Sequence, residues 1–168
     1  MKVNPGGKTP RRITAAEAAA LVKSGDWLDY GAITAQPDVF DAALAARAAE
    51  LSRVGIRNCL SVRPRAVLEA DPTGEHFQWF SLHFSGYDRK KHDAGISHYI
   101  PVNLGEIPDY YRRFIDPIDI VILKTRPADK DGVWRCRTIF NCVDAGPRDI
   151  HNTPAILEVS SAITGRRI

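Results

Sequence analysis

Hydrophobic and polar positions near the start of the chain predict a helix followed by a strand. Thr14 and Glu17 have the spacing of a capping box, in which each side chain accepts a hydrogen bond from the backbone amide of the other residue. The alanine-rich run after them predicts a helix to Val22, and Gly25 can adopt the left-handed conformation that often ends a helix. A strand over residues 26–30 is expected directly afterwards.

Apolar residues at helical spacing predict a second helix over residues 37–52, with Pro37 in the first turn, where proline is tolerated. Gly55 ends this unit, and residues 56–62 are interpreted as the next strand. The connections are short enough for a right-handed crossover between two parallel strands. This strand, helix and strand predict an α/β fold.

The second half of the chain predicts further strands and short helices. The aromatic run at residues 77–84 indicates a buried strand, and the polar segment 85–95 indicates a loop with a short helix. Four consecutive aliphatic residues within 119–124 are typical of a strand buried on both faces of a parallel sheet. Other patterns predict a strand at 98–102, a helix at 106–114, a turn at 127–132 and a strand at 133–135. The elements together predict one domain with an open, mostly parallel sheet flanked by helices.

Composition narrows the class of protein. The chain has 168 residues and a formal net charge of +3, which is too small a surplus for the basic stripe expected of a nucleic-acid binder. No apolar run approaches the roughly 20 residues of a membrane span. Three cysteines without the spacing of a disulfide framework indicate a reducing compartment. We therefore expect a cytoplasmic protein that binds neither nucleic acid nor membrane.

Three familiar motifs lack the context that their chemistry requires. Residues 6–9, GGKT, resemble the end of a phosphate-binding loop, but no strand precedes them. His83, His92 and His98 with Asp88 and Asp93 are suitable metal ligands without a metal-binding spacing. The GxSxG elbow of serine hydrolases is absent from the sequence. We therefore expect no nucleotide hydrolysis, no metal site and no serine-dependent hydrolysis.

Polar side chains cluster after two of the predicted strands, in residues 30–36 and 83–92. Ligands bind outside the carboxyl ends of the strands in open parallel sheets, so a binding site is expected at these two loops. The pattern leaves one alternative open, which is that both loops are solvated connectors without a binding role.

Four segments in order along the chain resemble the N-terminal half of family I coenzyme A transferases of the acetyl-CoA hydrolase/transferase group. The segments are ITAAEAAALVKSGDWLDYG, HFSGYDRKKHDAG, YIPVNLGEIPDYYRR and DIVILKTRPADKDGV. The likeness is greatest to butyryl-CoA:acetate and 4-hydroxybutyrate CoA-transferases, and it extends from about residue 13 to about residue 133. It implies a Rossmann-like, CoA-transferase-like domain over residues 13–135.

The resemblance implies reversible transfer of CoA between a short-chain acyl-CoA and a free carboxylate such as acetate. In this family a glutamate carboxylate attacks the thioester and becomes a glutamyl-CoA thioester, while glycine-rich backbone amides stabilise the oxyanion. Both parts lie in the second half of family members. The resemblance therefore implies CoA as a co-substrate, no tightly bound cofactor, and a C-terminal CoA-transferase domain or subunit as a partner.

No glutamate of this chain stands in a matching context, so we assign it no catalytic residue. Sheet geometry predicts substrate contacts in loops that would face the second half, at Gln36, His83, Tyr87, Arg89 and Asn103. Three functions fit these features: half of a CoA-transferase, half of an acetyl-CoA hydrolase, or an inactive truncated fragment that serves as an interaction scaffold.

The two ends of the chain differ from the predicted domain. Residues 1–12 are rich in Pro, Gly, Lys and Arg without an apolar period, which predicts a flexible arm. Residues 136–168 depart from the family pattern, and we hypothesise that an altered reading frame near Cys136 makes this tail non-native to the fold; a diverged tail is the alternative. A domain that normally packs against a second one exposes an apolar face, so we also expect self-association.

Overall fold

Every strand of the sheet runs in the same direction. The computed structural model describes residues 13–125. Its strands are β1 (Trp27–Ala32), β2 (Val54–Cys59), β3 (Phe77–Ser81), β4 (Ser97–Tyr99) and β5 (Ile120–Val121). They lie in the order β4-β3-β2-β1-β5, and each neighbouring pair is parallel. This confirms the predicted α/β fold with an open parallel sheet.

Short helices connect the strands of the described part of the chain. They are α1 (Ala15–Ala19), α2 (Asp38–Ala45), α3 (Ala66–Ala70), α4 (Gly86–Asp93) and α5 (Ile107–Arg113). Single turns of 3-10 helix occur at Ile33–Ala35, Ala48–Glu50 and Leu104–Glu106. No helix within residues 13–125 combines the length and the apolar character that crossing a membrane requires.

One face of the sheet carries the hydrophobic core. Side chains alternate between the two faces of a strand, so every second residue of β1, β2 and β3 points into this core. Helices α1 and α2 cover it from outside. The fully buried core residues include Ala19, Leu28, Tyr30, Leu44, Val54, Ile56, Phe77 and Trp79. Burying one large apolar side chain stabilises the fold by roughly 1.5–3 kcal/mol, so this cluster supplies the main driving force for folding.

The opposite face is organised around Trp27, whose indole lies across the neighbouring strand. A Cβ atom on Gly55 would lie 2.5 Å from Cε3 of that indole, so the position requires glycine. The indole reaches over β2 to Phe80 on β3, with ring centroids 5.0 Å apart. The Arg57 guanidinium lies 4.4 Å from the centroid of the same indole. Trp27 therefore packs three strands together on this face.

Helix α5 contacts this second face through a buried polar pair. Asp29 is 7% exposed and accepts hydrogen bonds from the Tyr111 hydroxyl and from the Gly31 amide. Burial raises the pKa of Asp29, and these two hydrogen bonds together with the charge of Arg57 oppose the rise. Tyr111 thereby connects α5 to β1.

The first predicted helix begins as expected and ends early. The capping box of Thr14 and Glu17 is confirmed, as is the left-handed Gly25, whose φ is +82°. The α-helix ends at Ala19 because the next amides, from Leu21 and Val22, bond to carbonyl oxygens only three residues back. The last turn is therefore of the tighter 3-10 type.

The prediction of a single helix over residues 37–52 was wrong. Helix α2 ends at Ala45. The guanidinium of Arg47 donates instead to the carbonyl oxygens of Ala19 and Val22, at 3.2 Å for Val22. This contact caps the end of the α1 segment and accompanies the break in the second helix.

Several strands are shorter than predicted. The strand predicted at 56–62 begins at Val54 and ends at Cys59, because Leu60 has a positive φ of 56°. The strand predicted at 119–124 is regular only over Ile120–Val121. Helix α3 has no counterpart among the predicted elements. The predicted arm, the turn at 127–132, the strand at 133–135 and the tail lie outside the described residues.

Gly55→Ala is expected to destabilise the fold, since the new methyl group would overlap the Trp27 indole. We expect a loss of about 1–3 kcal/mol, which is typical of overpacking in a core. Urea unfolding of the two proteins measures it. Gly105→Ala is the matched control, because no atom lies within 4 Å of the position of its Cβ. Equal stabilities of Gly55→Ala and Gly105→Ala would contradict this account of Trp27.

Candidate functional site

A buried polar network joins the carboxyl ends of β1, β2 and β3. Gln36, Asn58, Ser61 and Ser81 are each at most 1% exposed. Nε2 of Gln36 donates to Oδ1 of Asn58 at 3.3 Å and to Oγ of Ser61 at 3.4 Å. Oγ of Ser61 donates to the same Asn58 oxygen at 3.2 Å. Three strand ends are thus held in register by side chains rather than by the sheet alone.

The network continues into the loop after β3. Oγ of Ser81 lies 3.3 Å from Oδ1 of Asn58 and donates to the carbonyl oxygen of His83 at 2.8 Å. That carbonyl also accepts the Leu60 amide at 2.9 Å. Oε1 of Gln36 is buried without a hydrogen-bond partner. The loops after β2 and β3 are therefore fastened to each other.

Asp88 fixes the start of α4 against both of these loops. Its carboxylate is fully buried and accepts the amides of Ser61 at 3.0 Å and Ser85 at 2.9 Å. It also accepts the indole N–H of Trp79 at 3.1 Å. The Asp88 amide donates to Oγ of Ser85 at 3.1 Å, which completes a capping box. One carboxylate thus binds groups from β3, the loop after β2 and the turn before α4.

Three cations surround one carboxylate at the end of β1. Asp38 lies 3.5 Å from Arg63, 3.2 Å from Arg65 and 2.6 Å from Lys124. The hydrogen bond from Lys124 holds the pKa of Asp38 below its usual value, against the opposing effect of partial burial. The charges of Lys124 and Arg65 lower it further. The set carries more positive than negative charge, which favours the approach of an anionic ligand.

The backbone is strained where β1 and β2 end. Ala32 pairs with Cys59 across the two strands, and the residues that follow, Ile33 and Leu60, have positive φ angles of 53° and 56°. This conformation is unfavourable for a side chain that carries a Cβ, and especially for a β-branched one. Such strain concentrates at functional sites. Ile33 follows β1, and the strand order reverses between β1 and β5, which is where ligands bind in open sheets.

The predicted substrate residues lie at this carboxyl edge, in three different settings. Gln36 is buried in the polar network, and His83 has an exposed side chain but joins the network through its carbonyl oxygen. Tyr87 is half-buried: its hydroxyl donates to Glu69 at 2.7 Å and accepts the Arg65 amide at 3.2 Å. Burial raises the pKa of Tyr87 well above its usual value.

Two predicted residues stand apart from the network. Arg89 is exposed on α4, and Asn103 is exposed and donates to Glu106 at 3.0 Å. The structure therefore brings Gln36 and the backbone of His83 together and leaves Arg89 and Asn103 on the surface. The contacts of all five predicted residues with a substrate stay predictions.

Sequence reasoning missed the residues that organise the edge. One of them had a local signal, because Ser85 and Asp88 have capping-box spacing. Asn58, Ser61 and Ser81 carry no such signal, since the bonds that join the three strand ends connect residues more than twenty positions apart. Within residues 13–125, no three His, Cys, Asp or Glu side chains are grouped so that they could hold a metal ion.

The fold and the side chains described above define an α/β domain with a polar and cationic edge at the carboxyl ends of a parallel sheet. Residues 8–145 match the family model of the acetyl-CoA hydrolase/transferase N-terminal domain. The chain belongs to this family.

Curated relatives match most of the chain. It is 40% identical over 121 residues to the butyryl-CoA:acetate CoA-transferase of Anaerostipes caccae, covering 72% of this chain. It is 40% identical over 123 residues, 73% of this chain, to a probable butyrate:acetyl-CoA coenzyme A-transferase of Syntrophomonas wolfei. Identity is 33% over 121 residues, 71% of this chain, to a succinyl-CoA:cyclohexane-1-carboxylate CoA transferase of Geobacter metallireducens. The match spans 27% of the length of each relative.

Solved structures show the same fold. RipA from Yersinia pestis superimposes with a TM-score of 0.61 and 21% identity, over 73% of this chain and 30% of RipA. An M31G mutant of RipA gives a TM-score of 0.63 at 20% identity, over 74% of this chain and 30% of that one. At this level of identity the likeness concerns the fold alone.

Asp88→Asn is expected to weaken the carboxyl edge, because an amide cannot accept from all three donors and presents an N–H to one of them. Leaving a buried donor unsatisfied costs about 1–3 kcal/mol, and we expect a loss of that size in urea unfolding. Asp93→Asn, at the exposed end of the same helix, is the control and should change stability by less than about 0.5 kcal/mol. Similar losses in both variants would show that the Asp88 contacts contribute no stability of their own.

Proposed function

We propose that this chain is the N-terminal domain of an acyl-CoA:carboxylate CoA-transferase. It would move CoA between a short-chain acyl-CoA and acetate through a glutamyl-CoA thioester. In such a reaction the glutamate carboxylate attacks the acyl-CoA thioester, which gives a mixed anhydride and free CoA thiolate. The thiolate then attacks the glutamyl carbonyl of the anhydride, which releases the first carboxylate and leaves the glutamyl-CoA thioester. The second carboxylate passes through the same steps in reverse, so that it takes the CoA and frees the glutamate. CoA acts as co-substrate, and the polypeptide that supplies the glutamate is the partner.

The chemistry of the relatives is the observation that carries this proposal. All three are named as enzymes that pass CoA from a thioester to a carboxylic acid. The cations around Asp38 support it from the side of this chain, because both substrates of such a reaction are anions. Arg63 has a side chain 69% exposed and is accessible to a ligand.

The described glutamates support a nucleophile outside residues 13–125. Glu17 accepts the Thr14 amide in its capping box, at 2.7 Å. Glu50 pairs with Arg47 at 2.8 Å, in the connection between α2 and β2. Glu69 is held by the Tyr87 hydroxyl at 2.7 Å and by Lys91 at 3.0 Å, which lowers its pKa.

The remaining described glutamates give no better candidate. Glu106 accepts from Asn103, and Glu75 precedes β3 at the amino end of the sheet, away from the proposed site. The chain matches about a quarter of the length of each relative. The remaining length of such an enzyme is ample for a C-terminal domain or subunit that carries the nucleophile and the oxyanion loop.

Two other functions remain as alternatives from the sequence. An acetyl-CoA hydrolase half would use water in place of acetate. An inactive fragment would act only as an interaction scaffold. Self-association of the isolated chain stays a prediction.

The decisive assay incubates the purified chain with butyryl-CoA and acetate. The chain is tested alone and after mixing with the C-terminal portion of the Anaerostipes caccae relative that lies beyond the matched segment. Chromatography measures acetyl-CoA and free CoA. We expect no acetyl-CoA from the chain alone, because the proposed nucleophile belongs to the C-terminal portion, and acetyl-CoA from the mixture.

Each other result points to a different function. Acetyl-CoA from the chain alone would place the nucleophile within these residues and contradict the proposal. Free CoA released by the mixture without dependence on acetate would favour the hydrolase. No reaction by the mixture, with the C-terminal portion shown to be active with its own N-terminal segment, would favour the scaffold.

A further inference from the structure

Three aromatic side chains form a surface cluster that the polar network does not use. The ring of Phe84 lies between those of His92 and Tyr99, with centroid distances of 5.2 Å and 4.9 Å. Phe84 is half-buried, His92 is exposed, and Tyr99 is 49% exposed. We call these three residues the aromatic shelf. It lies at the carboxyl ends of β3 and β4, on the same edge of the sheet as the proposed site.

The aromatic shelf is held rigidly. Phe84 directly precedes Ser85, whose amide and hydroxyl are both bonded to Asp88. Nδ1 of His92 donates to the carbonyl oxygen of Ser97 at 2.7 Å, which fixes the orientation of the imidazole. Tyr99 belongs to β4. A ligand that stacks on these rings therefore finds them already ordered, which lowers the entropic cost of binding.

A cation lies on the same helix as one ring of the aromatic shelf. Arg89 and His92 are three residues apart on α4, so their side chains share one face of the helix. Arg89 is one turn nearer the carboxyl edge of the sheet and is exposed. His83, also exposed, directly precedes Phe84. An exposed aromatic surface with a guanidinium at its side suits a ligand that has both a planar base and a phosphate.

We propose that the aromatic shelf binds the adenine ring of CoA and that Arg89 contacts its phosphates. This inference rests on the proposed function, since it assigns one end of that co-substrate. The distance is suitable: three strand spacings separate β1 from β4, which amounts to about 14 Å. The flexible pantetheine arm of CoA can bridge that distance, so the thioester reaches the strained edge at β1 while the base stacks at β4.

Isothermal titration calorimetry tests the assignment. The full chain is titrated separately with CoA, with adenosine bisphosphate, which is the nucleotide portion of CoA, and with pantetheine. Tyr99→Ala should weaken binding of CoA and of adenosine bisphosphate about 10-fold, as expected for the loss of one base-stacking partner. Binding of pantetheine should not change. Tyr99→Phe keeps the ring and should bind like the parent chain. Arg89→Gln should weaken the binding of both phosphate-bearing ligands, and this effect should become smaller as the salt concentration is raised.

Tyr110→Ala is the matched control, because Tyr110 lies on α5 and packs on Phe114, away from the aromatic shelf. Equal affinities of Tyr99→Ala and Tyr110→Ala for adenosine bisphosphate would overturn the proposal, as would no measurable binding of that nucleotide to the parent chain. If Tyr99→Ala fails to fold by circular dichroism, Arg89→Gln decides. The CoA-exchange assay of the mixture does not depend on where adenine binds. Failure of the adenine assignment is therefore recognised separately from failure of the proposed function.

Discussion

The carboxylate of Asp88 is the contact on which the arrangement of the site depends. It is fully buried, and its donors come from the loop after β2, from β3 and from the turn before α4. A buried carboxylate is stable only when hydrogen bonds replace its hydration, and here three donors do so. Because the same group accepts from all three elements, none of them can move without breaking a bond to it. The loops that carry Ser61 and Phe84 are therefore positioned by one side chain.

This constraint determines how the edge of the sheet can serve a ligand. The polar network of Gln36 and Asn58 continues from Ser61 toward β1, where the cations around Asp38 and the strained Ile33 lie. The aromatic shelf continues from Ser85 toward β4. One rigid edge thus offers positive charge at one end and aromatic surface at the other, which is a suitable surface for a long ligand with distinct ends.

Local patterns predicted much of the fold and little of the site. The capping box at Thr14, the left-handed Gly25 and the parallel crossover all depend on short stretches, and the structure confirms them. The break after Ala45 could not be predicted, because it accompanies an Arg47 contact with carbonyl groups of another helical segment. The site network likewise joins residues more than twenty positions apart, such as Gln36 and Asn58. Loop position predicted the edge of the sheet at which the polar network lies, but long-range hydrogen bonds determine which side chains form that network.

Hydrogen exchange, followed by NMR in the native state, tests the role of Asp88 most directly. The amides of Ser61 and Ser85 and the indole N–H of Trp79 are the three donors to its carboxylate. In the parent chain we expect all three to exchange slowly. In Asp88→Asn we expect protection to fall for each donor that then faces the amide N–H, while core amides such as that of Ile56 stay protected. Rapid exchange of Ser61 and Ser85 in the parent chain, or unchanged protection in Asp88→Asn, would contradict the account.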